Sequence, residues 1–426
     1  MRSGEHTASR RALQGVVVTS VVVGMWFVVL RISPRPVWHH TFDLRVYRGA
    51  VQWWLHGHRV YDFVRPHTQK GFTYPPFAVL VLLPLALGTE TTATVLMTTV
   101  SVGLVVLTTW WLVAPVAARH GCPRWVAVGV ALPLTVAMEP VRETLGWGQV
   151  DLIVAALVLA DVGALRRGRR WGGVGIGLAT AIKVTPGLFV VYLLVTRRWR
   201  AAAVAAGTFA GTVLVGLAVD PSTRYWTRTL WQPGRVGPPL DPNDQSLLGF
   251  MARIAAPGAP SRALWLALDG LVLVVGMGRA ARVHRRGDDL AGLTITGLTA
   301  CLISPISWVH HLYWVVPAVV VLVDVAAGTP VAARWGRRHA RLVRAAAAAA
   351  AVVVTGAFGC SLIWFFVAAP ARLATIDGEK AYVLLVLALV LALPARGTVA
   401  RAASATGSTE RGTGRPQPVL REAGPR

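Results

Sequence analysis

Three features hold most of the chemical potential of this chain: Asp43, Lys183 and the pair His310-His311. Asp43 lies in Thr41-Phe-Asp-Leu-Arg-Val-Tyr-Arg48, inside a polar loop that ends at Phe72-Thr-Tyr-Pro-Pro-Phe77. A carboxylate fixed at a membrane surface can take the proton of an attacking hydroxyl. An aspartate at the start of a helix can equally be a cap. Lys183 interrupts an apolar stretch at Lys183-Val-Thr-Pro-Gly187. An ammonium there calls for an anionic partner such as a lipid phosphate, or it snorkels to the interface. Adjacent helical residues point about 100° apart, so the two histidines suit hydrogen bonding to phosphate or sugar better than shared metal ligation.

Two further polar groups are Glu139, Arg142 and Gln149, and the run Asn243-Asp-Gln-Ser246. Glu139 and Arg142 have the spacing to pair with each other. The second run can bind sugar hydroxyls or form an ordinary turn. No P-loop, dinucleotide fingerprint or Asp-x-Asp occurs, so a sugar-nucleotide enzyme with a bound divalent metal is not expected. Cys122, Cys301 and Cys360 are scattered without metal or disulfide spacing. Neither a metal nor a cofactor is expected.

The elements that position these residues must be membrane helices. The chain has 426 residues, 54% of them hydrophobic and only 15% charged, with mean hydropathy +0.54. No soluble domain hides that much apolar surface. The net charge of +24 raises a nucleic-acid role. Its basic residues instead cluster between apolar segments, the positive-inside pattern, so no nucleic-acid partner is expected.

The spacing predicts an all-α polytopic membrane protein with about 10–13 transmembrane or re-entrant helices. Residues 1–12 read as a cytoplasmic N-terminus, 13–394 as the membrane domain and 395–426 as a disordered cytoplasmic tail. Residues 13–30 read as an uncleaved first span. External loops are expected at about 31–73, 139–149, 220–261, 304–311 and 369–380. Within the first, Leu44, Tyr47, Val51 and Trp54 recur at helical spacing. Residues 74–88 are too short for a simple crossing. Residues 172–195 are expected to form a hairpin of two half-helices with Lys183 at its tip, and 345–367 a span. This topology gathers the polar chemistry on the outer side of the plasma membrane.

Taken in order, Phe42-Asp-Leu-Arg-Val-Tyr47, Phe72-Thr-Tyr-Pro-Pro-Phe77, Glu139-Pro-Val-Arg142, Gly148-Gln149, Lys183-Val-Thr-Pro186, Gly234-Arg-Val-Gly237, Gln245-Ser246 and Ser304-Pro-Ile-Ser-Trp-Val-His-His311 form a set. The set resembles glycosyltransferase family 87, the polyprenol-phosphate-mannose-dependent α-1,2-mannosyltransferases. The resemblance implies a GT-C fold, a polyprenyl-phosphate sugar donor entering from the outer leaflet, and no metal. It implies that Asp43 is the catalytic base and that His310 and His311 lie by the donor phosphate with Lys183. Arg45, Tyr47, Tyr74, Glu139, Arg142, Gln149 and Gln245 are the expected substrate contacts. The implied reaction is inverting transfer of mannose to a glycolipid or glycan acceptor, with membrane lipids as the other partners. A sister branch transfers arabinofuranose. A lipid-linked-sugar transporter is the alternative of another class, although paired broken helices in matching halves are missing. Asp151 and Asp244 depart from the pattern, which has Asn at both places.

Overall fold

A computed structural model describes residues 41–68, 70–331, 337–368 and 378–397, with scattered positions between 15 and 30. The expected N-terminus, first span and tail beyond residue 397 therefore lie outside the described residues, as do 31–40 and 369–377. The described chain is helical, and its only β-pairing is in isolated bridges.

The helices are α1 (Phe42–Leu55), α2 (Pro76–Ala86), α3 (Glu90–Arg119), α4 (Arg124–Ala137), α5 (Glu139–Trp147), α6 (Asp151–Arg166), α7 (Val174–Ile182), α8 (Leu188–Val195) and α9 (Trp199–Gly216). After short helical turns over residues 224–235 come α10 (Leu247–Ala255), α11 (Arg262–Arg285), α12 (Asp289–Ile303), α13 (Val315–Ala326), α14 (Arg337–Gly359), α15 (Leu362–Val367) and α16 (Ala381–Ala392). A 3-10 turn, Val309–Trp314, leads into α13.

Among the described residues, five helices are long and apolar enough to cross a membrane, or six if the bent pair α4–α5 is one span. The chain is thus a multi-pass membrane protein. The 65° bend between α4 and α5 falls at Met138, whose backbone is extended; Pro140, just inside α5, has no N–H to continue the ladder of α4 and clashes with its last turn. At about 1.5 Å per residue, the 11 residues of α2 cannot cross a hydrocarbon core of about 30 Å.

α1 buries Leu44, Tyr47, Ala50 and Val51, the face the spacing predicts, against α2. Polar residues fall on its other side, so α1 lies along the bundle rather than through it. α12 is the central helix, buried at every position from Leu290 to Leu302. Asp288 caps its start by accepting from the Ala291 N–H at 3.2 Å.

α7 and α8 form a hairpin. Gly173 and Gly177 pack α7 against the start of α9: a Cβ on either would meet the Ala201 or Ala205 carbonyl at 2.2 or 2.6 Å. α8 ends where α9 begins, so the free ends of both half-helices share one side and the Lys183 turn forms the tip. Pro186 forces the break.

Two expectations need correction. The apolar run 345–367 is not one helix. It breaks at Ser361, which takes φ 58°, between α14 and α15. The ordered chain also continues past residue 394. Arg396 is buried and donates to Asp288 at 2.6 and 2.7 Å and to Asp324 at 3.0 Å. A guanidinium that satisfies two buried carboxylates holds this segment in place, and a charged residue in a polar tail carries no such signal in sequence.

Candidate active site

Asp43 sits in the first turn of α1, one residue past its start. The Thr41 N–H donates to the Gly146 carbonyl at 3.1 Å, tying the head of α1 to the end of α5. Gly148 then ends α5 with φ 69°, and a Cβ there would meet the Leu44 Cβ at 2.8 Å. Only glycine satisfies both the left-handed backbone and this close approach. The turn aims the next side chain, Gln149, at α1, where its Nε2 donates to the Asp43 Oδ2 at 2.8 Å. The Gln149 carbonyl in turn accepts from the Tyr47 hydroxyl at 2.5 Å and the Tyr74 hydroxyl at 3.1 Å. The two tyrosines thus fix the amide so that its N–H₂ end faces Asp43.

Burial raises the pKa of Asp43 from 3.8 to about 6; the Gln149 hydrogen bond and the nearby Lys183 pull it down, while Asp151 pushes it up. The carboxylate is therefore ionised at neutral pH yet close enough to neutrality to hold a proton, the property a general base needs.

The opposite wall comes from the α7–α8 hairpin and the turn before α13, with the start of α6 behind them. Asp151 opens α6, and the Lys183 Nζ donates to its Oδ1 at 2.6 Å. The other Asp151 oxygen lies 3.9 Å from the His310 Nε2. The rings of His310 and His311 are 4.7 Å apart and nearly perpendicular, at 82°.

Asn243–Ser246 sets the histidine turn. The Asp244 Oδ1 accepts from the Ser307 and Ser246 N–H groups at 2.8 and 3.0 Å, and the Asn243 Oδ1 accepts from Val309 at 3.2 Å. Asp244 is wholly buried, which raises its pKa from 3.8 to about 6 despite those donors. This run is a latch for the histidine turn; of its members Asn243 alone reaches the cavity.

Both walls face a cavity of about 580 Å³. Asp43, Tyr47, Tyr74, Gln149, Lys183, His310 and His311 all line it. Four expected contacts do not. Arg45 points outward to Glu90 at 2.7 Å, on a half-exposed ion pair. Glu139 accepts from Trp364 and Tyr382, both at 2.5 Å, behind the site. Arg142 donates to the Ala137 carbonyl at 2.7 Å and to Ser361, not to Glu139. Gln245 is wholly buried between Pro242, Glu379 and Val383. The α4–α5 bend turns Glu139 and Arg142 toward α14–α16, which spacing within their own segment does not show.

The fold also adds residues that the chain order did not single out. Lys70 lines the cavity, with its Nζ donating to the Val236 carbonyl at 2.6 Å and lying 5.7 Å from the Trp308 ring. Arg235 lines it too, from the Gly234-Arg-Val-Gly237 motif. Asp151 also lies beside the histidine pair: ligand atoms of Asp151, His310 and His311 all lie within 4.8 Å of one another. Those residues are distant in sequence, so spacing could not reveal the set. Three ligands with an open position can hold a divalent cation, although the Lys183 ammonium already compensates the carboxylate.

The sequence profile of glycosyltransferase family 87 matches residues 72–305. The chain is 33% identical over 301 residues to the polyprenol-phosphate-mannose-dependent alpha-(1-2)-phosphatidylinositol mannoside mannosyltransferase of Mycobacterium tuberculosis, covering 66% of this chain and 70% of that protein. The Mycolicibacterium smegmatis protein of the same name is 30% identical over 341 residues, covering 74% and 76%. A Mycobacterium tuberculosis pentamannoside mannosyltransferase is 32% identical over 330 residues, covering 70% and 71%. Among solved structures, ArnT from Cupriavidus metallidurans bound to undecaprenyl phosphate aligns with 88% of this chain and 75% of its own, at 17% identity and a TM-score of 0.36, too loose a likeness to assign a fold. With a profile match over more than half its length and relatives at this identity, the chain belongs to glycosyltransferase family 87.

Proposed function

We propose that this chain is a GT-C enzyme that transfers mannose from a polyprenyl-phosphate donor to a hydroxyl of a mannoside glycolipid, with inversion and an α-1,2 linkage, on the extracytoplasmic side. The observation that carries the reading is one cavity with a near-neutral carboxylate on one wall and Lys183, His310 and His311 on the other. The relatives' names supply the donor and the acceptor class.

In this reading the acceptor hydroxyl hydrogen-bonds to Asp43. As its oxygen bonds to the anomeric carbon, the proton passes to the carboxylate and the bond from that carbon to the phosphate oxygen breaks. Polyprenyl phosphate leaves with the electron pair. Lys183 and the histidines stabilise the charge that grows on it, through groups already in place. Asp151 holds the ammonium until the donor phosphate competes for it. Tyr47, Tyr74 and Gln149 orient the base and form its side of the sugar site. Val184, Leu188, Pro305 and Ile306 line the same cavity and suit an isoprenoid chain. A divalent cation held by Asp151, His310 and His311 would add Lewis-acid charge at the same oxygen.

The test is transfer by purified full-length protein from polyprenyl-phosphate mannose to a phosphatidylinositol mannoside, with linkage analysis of the product. An α-1,2-mannoside is the expected product. Transfer only from the arabinose donor, or movement of donor across vesicles without product, would overturn the reading. Activity that disappears with a chelator and returns with a divalent cation would move the phosphate-side role from Lys183 to the Asp151–histidine set.

A further inference from the structure

A second cavity, of about 480 Å³, lies at the other end of α12 from the active site. Its walls are the end of α11, the start of α14, residues 328–331 and the segment after α16. Four arginines line it: Arg279, Arg282, Arg286 and Arg344. The first three recur at i, i+3 and i+7, which places them on one helical face. Among the described residues no carboxylate lines the cavity.

The nearby acids are already engaged. Asp288 and Asp324 bind Arg396, and Asp324 also takes Arg119, His120 and Thr329. Arg279 donates its Nη2 to the Leu393 carbonyl at 2.9 Å, which leaves its buried Nε without a partner. Arg344 donates to the Ala326 carbonyl at 3.3 Å. Arg282 and Arg286 are exposed and pair with no carboxylate among the described residues.

Gathering four guanidiniums without a counter-charge is unfavourable unless an anion compensates them. The rest of the lining is apolar, with Val283, Val331, Val343 and Leu393. Arginines beside a greasy wall, at the end of a helix long and apolar enough to span the membrane, match a phosphodiester headgroup with its acyl chains rather than a free ion. We infer that this pocket binds the headgroup of an anionic phospholipid of the leaflet opposite the active site. The site lies apart from the proposed donor cavity, so it stands whether or not the transfer reaction is as proposed.

The test uses full-length protein in neutral detergent, with phosphatidylglycerol, phosphatidylcholine or inorganic phosphate added. Thermal unfolding and the number of lipids retained in native mass spectrometry are the readouts. Wild type should be stabilised by phosphatidylglycerol and retain it, and should ignore phosphatidylcholine. The double variant Arg282→Gln/Arg286→Gln touches no folding partner and should lose both responses while keeping its unfolding temperature without lipid. Equal responses to the two lipids, or an unchanged response in the variant, would overturn the inference. Stabilisation by inorganic phosphate to the same degree would overturn the lipid source.

Discussion

Two aspartates serve the active site, Asp43 lining the cavity and Asp151 behind Lys183 and the histidines, and their surroundings differ. Asp43 meets an amide: the Gln149 N–H₂ donates to it at 2.8 Å. Asp151 meets a cation, the Lys183 ammonium at 2.6 Å. One environment leaves a carboxylate near its titration point, able to accept a proton. The other ties a carboxylate to a lysine side chain and uses it to hold that group in place. Two identical side chains at one site take different roles because their neighbours differ.

The largest effect expected from breaking this contrast is at Asp43. Asp43→Asn keeps the shape and a hydrogen bond but cannot take a proton. We predict a fall in kcat of about 10²–10⁴-fold, the usual range for a lost general base, with KM for the donor nearly unchanged. Steady-state transfer kinetics measure it.

On the phosphate wall, Lys183→Met should cost about 10²–10³-fold, as expected for one lost group that stabilises a leaving anion. It also leaves Asp151 buried without its cation, so the thermal midpoint should fall. Lys183→Arg, which keeps the charge, should recover part of both. A Lys183→Met enzyme with full activity would dissolve the division between the walls.

Gln149→Leu is subtler. The amide hydrogen bond favours the ionised form of Asp43. Without it the acid limb of the rate profile should move to higher pH, and activity at neutral pH should drop, while Asp43 remains the base. A limb that moves down would contradict the geometry. Arg45→Gln is the smallest change. Its half-exposed ion pair with Glu90 lies outside the cavity, and exposed pairs contribute about 0–1 kcal/mol. Turnover and donor KM should stay near wild type.

Much of this arrangement is legible in the sequence because it is local. The apolar period of α1, the helix break before Pro186 and the place of Asp43 at the head of α1 all follow from residues within a few turns. Tertiary relations are not legible in that way. Glu139 and Arg142 read as site residues from their position in an outer polar segment, yet the bend before Glu139 turns them into the packing of α14–α16. Gln245 and Asp244 read as sugar ligands or a turn, yet they pin the histidine turn from behind. Asp151 reads as a departure from a pattern. In space it is the counter-ion of Lys183 and the missing neighbour of His310 and His311, separated from them by well over a hundred residues of chain. Arg396 shows the same limit at the other end of the bundle, where a tail residue proves to be buried.

The most direct measurement of the central claim is the pH dependence of single-turnover mannose transfer, which isolates the chemical step from product release. Burial places the Asp43 pKa at about 6. An acid whose pKa is raised stays protonated to higher pH, so the base form is lost as pH falls through that value. The wild-type rate should rise with pH along a single limb centred near 6, and the residual rate of Asp43→Asn should lack that limb. The same limb surviving in Asp43→Asn would contradict this and assign the titrating base to another group.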